Sequence, residues 1–354
     1  MAGLETNYHN CGKQVKSAVA EGIYRTSITL RQDHPSWGAD RIAVTLREAY
    51  GQDAPSVRTL QRWYRVERLT EPKMGHNEPF IGKARGAHNI WQVDAKEQIT
   101  LLDHTLACYL TFTDEYSGCW LGSIVFPYHR INQVPIGEVR QACITMFKRW
   151  GKAGSFRVDN GEPLGNPKMN ATPALALWLI AMDVDMIWNK PHCPQQNAKV
   201  ERMQGTSARW VELAKCANLV YLQTHLDAEA VIQREKLQVR RLQNQTRIVA
   251  YPEVLINKRP FDPKTFDIQR IYTFLAAKTY VRKVATTGVV SLYNQEFKIN
   301  RQDKGKMIEI KFNPTTIEWE FYDNHTLLCT HHATHLTTER VQQLTVFQFR
   351  PIKI

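Results

Sequence analysis

The sequence reads NIWQVDAK over residues 89–96 and SFRVDNGEPLG over residues 155–165. Each stretch contains a short apolar run that predicts a strand and that ends in an aspartate, Asp94 in the first and Asp159 in the second. The Asn160-Gly161 pair predicts a turn directly after Asp159. Because a carboxylate at a strand end, at the open edge of a sheet, is a common position for chemistry, both aspartates are candidate site residues.

A third acidic residue lies in NKPHCPQQNAKVERMQG, residues 189–205. Pro191 and Pro194 predict an extended approach to a helix that begins near residue 196 and carries Glu201. Glu201 is therefore a third candidate, on an element different from those of the two aspartates.

The segment around these residues alternates between strand and helix patterns. We predict strands over 91–94, 107–114, 119–127, 155–159 and 185–188, and helices over 135–150, 173–182 and from about 196 onward. Three strands followed by helix and strand in alternation are typical of an α/β fold with a mixed sheet and helices packed on it.

Three carboxylates from three elements could converge on Mg²⁺ or Mn²⁺, which prefer oxygen ligands. Two such ions a few Å apart can activate an attacking hydroxyl and stabilise the leaving oxygen of a phosphodiester. Single acidic residues at strand ends are more often solvated turn residues, and the spacing alone favours that interpretation.

The sequence around the three carboxylates resembles that of the catalytic core of insertion-sequence transposases and retroviral integrases. WQVDAKE, FTDEYSG, FRVDNGEPLG and NKPHCPQQNAKVERMQG occur in the order of that family's D…DNG…P..P…NGxxER pattern. The resemblance implies an RNase H-like core in which Asp94, Asp159 and Glu201 are the catalytic residues and hold two Mg²⁺ or Mn²⁺ ions.

The sequence departs from the family pattern in two places. Asn197 is followed by Ala198 where the family usually has Gly, which changes the loop before the helix. Asp159 and Glu201 are 42 positions apart, somewhat more than in the family motif, and we place the additional residues in 165–172. Neither departure removes a ligand.

Residues 1–70 are predicted to be helical and to contain a helix-turn-helix. Arginines lie on one face of the second short helix, whereas Leu60 and Tyr64 can pack inward. The arginines, Arg58, Arg62 and Arg65, are candidate contacts to DNA. A small helical bundle with a solvated basic face is the alternative. Residues 71–88 are rich in Pro, Gly and charge and are predicted to form a linker to the core over 89–222.

The C-terminal part is predicted to contain a helical connector and a small β domain. Residues 223–245 look helical and amphipathic within a connector over 223–275. Short strands separated by turns then indicate a small barrel over 276–354, which resembles the SH3-like barrel of the same family.

The chain has 354 residues and a net charge of +12, of which residues 226–354 contribute +7. A pI near 9.3 favours a polyanionic partner such as nucleic acid, although a merely soluble basic protein has the same charge.

No apolar run is long enough to span a membrane, and the N-terminus has no signal-peptide pattern. Seven cysteines without a C-x-x-C pair favour reduced thiols in the cytosol.

The resemblance implies a DNA transposase that cleaves double-stranded DNA at terminal inverted repeats and joins the freed 3′-hydroxyl to target DNA. Lys199 and Arg202 are expected to contact phosphates. It also implies a homo-oligomer on paired ends in the bacterial cytoplasm, near the nucleoid, with an ATPase partner left open. Two alternatives are a DNA-binding regulator derived from a transposase and an RNase H-like nuclease that does not join DNA.

Other acidic residues and histidines are expected to have structural roles. Asp114, Glu162, Asp183 and Asp185 flank strands and turns of the core. The group His325, Cys329, His331, His332 and His335 could form a zinc site by composition, but its spacing favours structural histidines.

Overall fold

The computed structural model describes residues 18–70, 82–128, 135–165, 171–190 and 194–347. Within these ranges no helix combines the length and the apolar character that crossing a bilayer requires.

The N-terminal part consists of three helices, α1 (Ala18–Asp33), α2 (Ala39–Tyr50) and α3 (Val57–Val66). Ser56 begins α3 because its side-chain oxygen accepts a hydrogen bond from the Thr59 amide at 3.2 Å. Leu60 and Tyr64 face α2 and are buried, as predicted. Three helices with a short turn between α2 and α3 agree with the sequence pattern, and the helix-turn-helix stays a prediction.

The central part is built on a five-stranded sheet. Its strands are β1 (Ile90–Thr100), β2 (Leu106–Asp114), β3 (Trp120–Pro127), β4 (Ser155–Val158) and β5 (Asp185–Trp188). Their spatial order is β3-β2-β1-β4-β5, with β1 to β3 antiparallel and with β4 and β5 parallel to β1. The predicted α/β core with a mixed sheet is therefore confirmed.

Four helices accompany the sheet: α4 (Ile136–Trp150), α5 (Ala174–Ala181), α6 (Ala198–Val211) and α7 (Leu219–Val231). Every residue of α5 is buried, which fits its wholly apolar sequence, ALALWLIA. It lies between the central sheet and the C-terminal part, and side chains of both belong to one continuous hydrophobic core.

The predicted helix over 223–245 differs from the structure. The helix α7 begins earlier, at Leu219, and the chain leaves helical geometry after a π-helical turn at Ile232–Lys236. The side chain of Gln233 is buried there and accepts a hydrogen bond from the Trp120 amide at 3.0 Å. This segment packs on β3 because its polar side chains satisfy the backbone at the start of that strand.

The C-terminal part contains the short helices α8 (Arg247–Ala250), α9 (Ile268–Ala276) and α10 (Thr338–Gln342) and six strands. The strands are β6 (Thr279–Lys283), β7 (Val289–Leu292), β8 (Gln295–Lys298), β9 (Met307–Asn313), β10 (Glu318–Asp323) and β11 (Thr326–His332). All six predicted strands are present. They form a four-stranded antiparallel sheet, ordered β11-β10-β9-β6, and a separate β7–β8 hairpin. The SH3-like barrel stays a prediction.

The predicted linker over 71–88 lies partly outside the described residues. Its last residues are packed on the core: the amide of Lys83 donates to Glu115 at 2.7 Å, and the amide of His88 donates to Asp114 at 2.8 Å. His88 itself is buried. Residues 82–88 are therefore an integral part of the core rather than a free linker.

The N-terminal helices contact the C-terminal ends of α6 and α7. Arg41 of α2 forms a buried, bidentate ion pair with Glu229, with N–O distances of 2.7 and 2.8 Å. The indole of Trp37 donates to the carbonyl of Trp210 at 3.0 Å. The N-terminal helices therefore contact the core through a buried ion pair and a hydrogen bond.

Candidate active site

Asp94 lies within β1, not at its end as predicted. The strand continues to Thr100 because β2 pairs with it along its full length, down to the Thr100–Leu106 pair. Parallel pairing with β4, however, ends at Gln92 opposite Arg157. Asp94 therefore lies just beyond the parallel part of the sheet, where β1 has lost its neighbour on that side.

Asp159 directly follows β4, as predicted. Gln92 and Arg157 form the last parallel pair, and Asp94 and Asp159 each lie two positions beyond it, so both aspartates are at the same edge of the sheet. Two hydrogen bonds hold the turn after Asp159. The Asp159 carboxylate accepts from the Gly161 amide at 2.9 Å, and the side chain of Asn160 donates to the Asn189 carbonyl at 3.0 Å.

Glu201 lies in the first turn of α6 and is exposed. The extended approach predicted for Pro191 and Pro194 is wrong at the second proline, where Pro194–Asn197 forms a 3-10 turn that leads straight into α6. Residue 191 lies outside the described residues. An acidic side chain in the first turn of a helix is favoured by the helix dipole.

The three carboxylates influence one another electrostatically. Burial raises the pKa of Asp94 to about 7, and the negative charges of Asp159 and Glu201 add to this increase. Burial also raises the pKa of Glu201, again with a contribution from Asp159. Asp159 and Glu201, both distant from Asp94 in sequence, therefore act electrostatically on Asp94.

All three candidate side chains are carboxylates, the type of ligand that a hard divalent cation prefers. In the described part of the chain, no lysine or arginine forms a salt bridge with any of the three carboxylates, so their charge is uncompensated. As the side chains stand, no three acidic, histidine or cysteine residues within the described ranges are close enough together to hold one metal ion. Oxygen ligands alone favour Mg²⁺ or Mn²⁺ over zinc.

The structure adds a buried polar network that the sequence interpretation missed. The side chain of Glu115 is fully buried, accepts from Arg157 Nε at 2.6 Å and accepts from Gln92 Nε2 at 3.0 Å. Burial alone would raise the pKa of Glu115, but the hydrogen bonds from Arg157 and Gln92 outweigh it and hold this pKa below its usual value.

Gln92 connects this network to the helix that carries Glu201. Its Oε1 atom accepts from the amides of Lys199 and Val200, at 3.0 and 3.1 Å. Amides in a helix's first turn have no partner within the helix, and Asn197 provides no side-chain cap. A strand residue two positions before Asp94, on the same side of the sheet, therefore caps α6. The signal in the sequence was a polar residue, Gln92, between the apolar residues Trp91 and Val93 of a predicted strand.

The candidate DNA contacts lie in two places. Arg58, Arg62 and Arg65 are exposed on α3, on the side away from its buried residues. On α6, Lys199 is half-buried and its ammonium donates to the carbonyl of Glu115, whereas Arg202 is exposed.

Some of the remaining acidic residues and histidines have local contacts. Asp114 is buried and accepts from Ser117 and His88, and Asp183 forms salt bridges with two arginines. The imidazole of His335 is buried against the ring of Trp319, and His331 bonds to the Lys298 carbonyl.

No model of a known protein family matches the chain. Among solved structures, the HTLV-2 integrase catalytic core domain in complex with magnesium is 16% identical over 48% of this chain and 99% of that one, with a TM-score of 0.36. The simian T-cell lymphotropic virus intasome with the PP2A regulatory subunit B56 gamma gives 13% identity, 81% and 95% coverage and a TM-score of 0.37. The catalytic core domain of BIV integrase gives 15% identity, 47% and 95% coverage and a TM-score of 0.32.

The chain is similar to the catalytic cores of retroviral integrases.

Proposed function

We propose that this protein is a DNA transposase of the integrase type, with an RNase H-like core, that cleaves transposon ends and joins the freed 3′-hydroxyl to target DNA. The observation that supports this is the electrostatic coupling of Asp94, Asp159 and Glu201, whose carboxylates have no cation partner among the described residues. The RNase H-like core is supported by a mixed sheet with β1 at its centre and by acidic residues on β1, after β4 and on α6.

The chain's own residues would act by position and charge. Asp94 and Asp159 would share the metal ions from adjacent strands, and Glu201 would complete the second ion's ligands from α6. When bound, two Mg²⁺ or Mn²⁺ ions would activate the attacking oxygen and stabilise the leaving oxygen of a phosphodiester. Arg202 and Lys199, which lie near Glu201 in the sequence of α6, would contact phosphates of the bound DNA.

The triad is tested by substitution with isosteric amides. Asp94→Asn, Asp159→Asn and Glu201→Gln should each abolish Mg²⁺-dependent cleavage and joining of an end-sequence duplex, with DNA binding retained, because an amide is a poor ligand for these ions. Asp185→Asn, an exposed acid at the start of β5 beside the start of β4, is the control and should stay active. Full joining by any triad variant would remove that residue from the site.

The same assay separates the two alternatives. Cleavage of the end duplex without any joined product would indicate a nuclease. Sequence-specific binding without Mg²⁺- or Mn²⁺-dependent cleavage would indicate a DNA-binding regulator with an inactive site.

A further inference from the structure

A cavity of about 400 Å³ lies between the N-terminal helices and the core. Its walls are the start of α2, one face of α6 and the segment that follows α7. The side chains that matter here are five cations and one acid: Lys199, Arg202, Arg209, Arg241, Arg247 and Asp40.

The cavity lies on a face of α6 other than the one that carries Glu201. The lining residues Lys199, Arg202, Thr206 and Arg209 follow one another at intervals of three and four, so they form one stripe along the helix. Glu201 falls outside this series. The same helix therefore presents a carboxylate to the candidate active site and a row of cations to a separate space.

Apart from Arg41, none of the cations that line the cavity forms an ion pair within the described residues. Arg41 also lines the cavity, but its charge is taken up by Glu229. Arg209 and Arg247 donate only to backbone carbonyls, at 3.0 and 3.2 Å, and the Nε atom of Arg247 is buried without a partner. The guanidinium groups of Arg202 and Arg241 form no hydrogen bond or ion pair in the part of the chain that the structure describes.

The cations also crowd one another. A β-carbon added at Gly118 would lie 3.6 Å from Arg241 Nη2 and 3.9 Å from Arg247 Nε, so both guanidinium groups approach the same residue. Burial lowers the pKa of Lys199, and the charge of Arg241 lowers it further. Like charges without counterions repel one another, and a bound anion would remove that cost, which is larger for the half-buried Lys199 and Arg247 than for the exposed arginines.

The length of the row favours a polyanion over a small anion. Lys199 and Arg209 are ten residues apart, which is about 15 Å along an α-helix. One phosphate group cannot reach both ends. Along one DNA strand, about four phosphates fall within that distance.

We propose that this cavity binds backbone phosphates of DNA, at a second contact separate from the carboxylate centre. The choice of DNA as the polyanion rests on the proposed function. Because the cavity is walled by α2 on one side and α6 on the other, DNA bound there would fasten the N-terminal helices to the core.

The test measures binding of the full-length protein to a random-sequence DNA duplex over a range of KCl concentrations, in EDTA. Arg241→Ala and Arg209→Ala should each reduce the slope of log K against log salt by about 1, since each phosphate contact contributes about that much. Arg241→Lys should restore the slope. The matched control is Arg240→Ala, because Arg240 is the exposed neighbour of Arg241 but does not line the cavity. Melting temperatures check that the variants fold.

Three outcomes would overturn the proposal. An unchanged slope in both cavity variants would exclude phosphate contacts there, and an equal loss in Arg240→Ala would indicate diffuse charge. If pyrophosphate or polyglutamate stabilises the wild type but not Arg241→Ala while the DNA slopes stay equal, the occupant is a small anion or an acidic protein segment. Since no divalent cation is present, a protein that fails the cleavage assay can still pass this one, and the two proposals fail separately.

Discussion

At the scale of single residues, the site depends on the contrast between neighbours on β1. Asp94 has one hydrogen bond, from the Ala95 amide at 2.9 Å, and no cation partner among the described residues. Gln92, two positions earlier, has hydrogen bonds at both ends of its amide. The Asp94 carboxylate is thus available for a ligand, whereas the Gln92 side chain is held by hydrogen bonds within the protein.

Replacing Gln92 by Met tests whether it positions Glu201. Methionine keeps the length but removes the acceptor that holds the first turn of α6. We expect joining to fall about 10–100-fold, as for other groups that orient metal ligands, and the Mg²⁺ concentration needed for half-maximal activity to rise. Gln195→Met, an exposed glutamine just before α6, is the control. A lower melting temperature with an unchanged Mg²⁺ requirement would make Gln92 a purely structural residue.

The raised pKa of Asp94 predicts that, in the absence of metal, the charged carboxylate lowers the free energy of unfolding in a pH-dependent way. Because this pKa is about 7 in the folded chain and 3.8 ordinarily, the folded state binds the proton more tightly, and stability falls as pH rises from about 4 to 7. Asp94→Asn should therefore be more stable than wild type at pH 8 in EDTA, by roughly 1–3 kcal/mol, and equal to it near pH 4.

Denaturant unfolding at the two pH values measures this difference, with Asp185→Asn as the control. Adding Mg²⁺ at pH 8 should stabilise the wild type and leave Asp94→Asn unchanged. A variant that is less stable than wild type at pH 8 would contradict a charged, uncompensated Asp94.

At the scale of elements, α3 has a buried side and a basic side. Leu60 and Tyr64 fasten it to the other N-terminal helices, and the arginines project outward. This arrangement suits a helix that lies in a DNA groove, and a solvated helix has the same arrangement.

Neutralising Arg58 and Arg62 separates these two roles. If they read bases, Arg58→Ala and Arg62→Ala should cost about 1–3 kcal/mol on the end sequence and much less on random DNA. Gel shifts with both duplexes measure the difference, and Arg25→Ala on α1 is the control. Equal losses on both duplexes would indicate phosphate contacts, and no loss on either would mean that α3 is structural.

At the scale of the whole molecule, the C-terminal part packs against the chain's own core. The Asp267 amide donates to the Ala181 carbonyl at 2.9 Å, and the Thr172 amide donates to the Tyr293 hydroxyl at 3.3 Å. Likewise, α7 and the π-helical turn after it pack on β3, with Arg234 buried. The segment over 223–245 is thus not free to bridge subunits as a continuous helix, whereas the charged strands of the C-terminal part remain candidates for DNA contact.

We predict that two or more chains assemble on paired ends, with the C-terminal part of one chain contacting DNA held by another. The test mixes two full-length variants, because deleting the C-terminal part would uncover the core. One is Glu201→Gln, and the other reverses the exposed charges Lys283, Lys298 and Arg301 to Glu. Joining that recovers only in the mixture would show action in trans. No recovery, together with a monomer in light scattering with paired ends, would contradict the assembly.

The sequence by itself determined the order of elements and the three acidic candidates. Alternating apolar runs and turns mark β1 to β5 and the six C-terminal strands, because backbone periodicity and turn chemistry are local. The sequence pattern predicted Asp94 at the end of a strand. In the structure β1 continues to Thr100 because a different strand, β2, pairs with it there, and a local pattern does not reveal such pairing.

Only the tertiary structure decided which polar residues meet. Glu115 and Arg157 are 42 positions apart, and Gln92 and Val200 are 108 positions apart, yet they form one buried network. The cationic cavity likewise combines α6 with residues beyond α7. A local pattern states that a residue is polar, but its partner depends on which strands become neighbours, and that is set by how the whole chain buries its apolar surface.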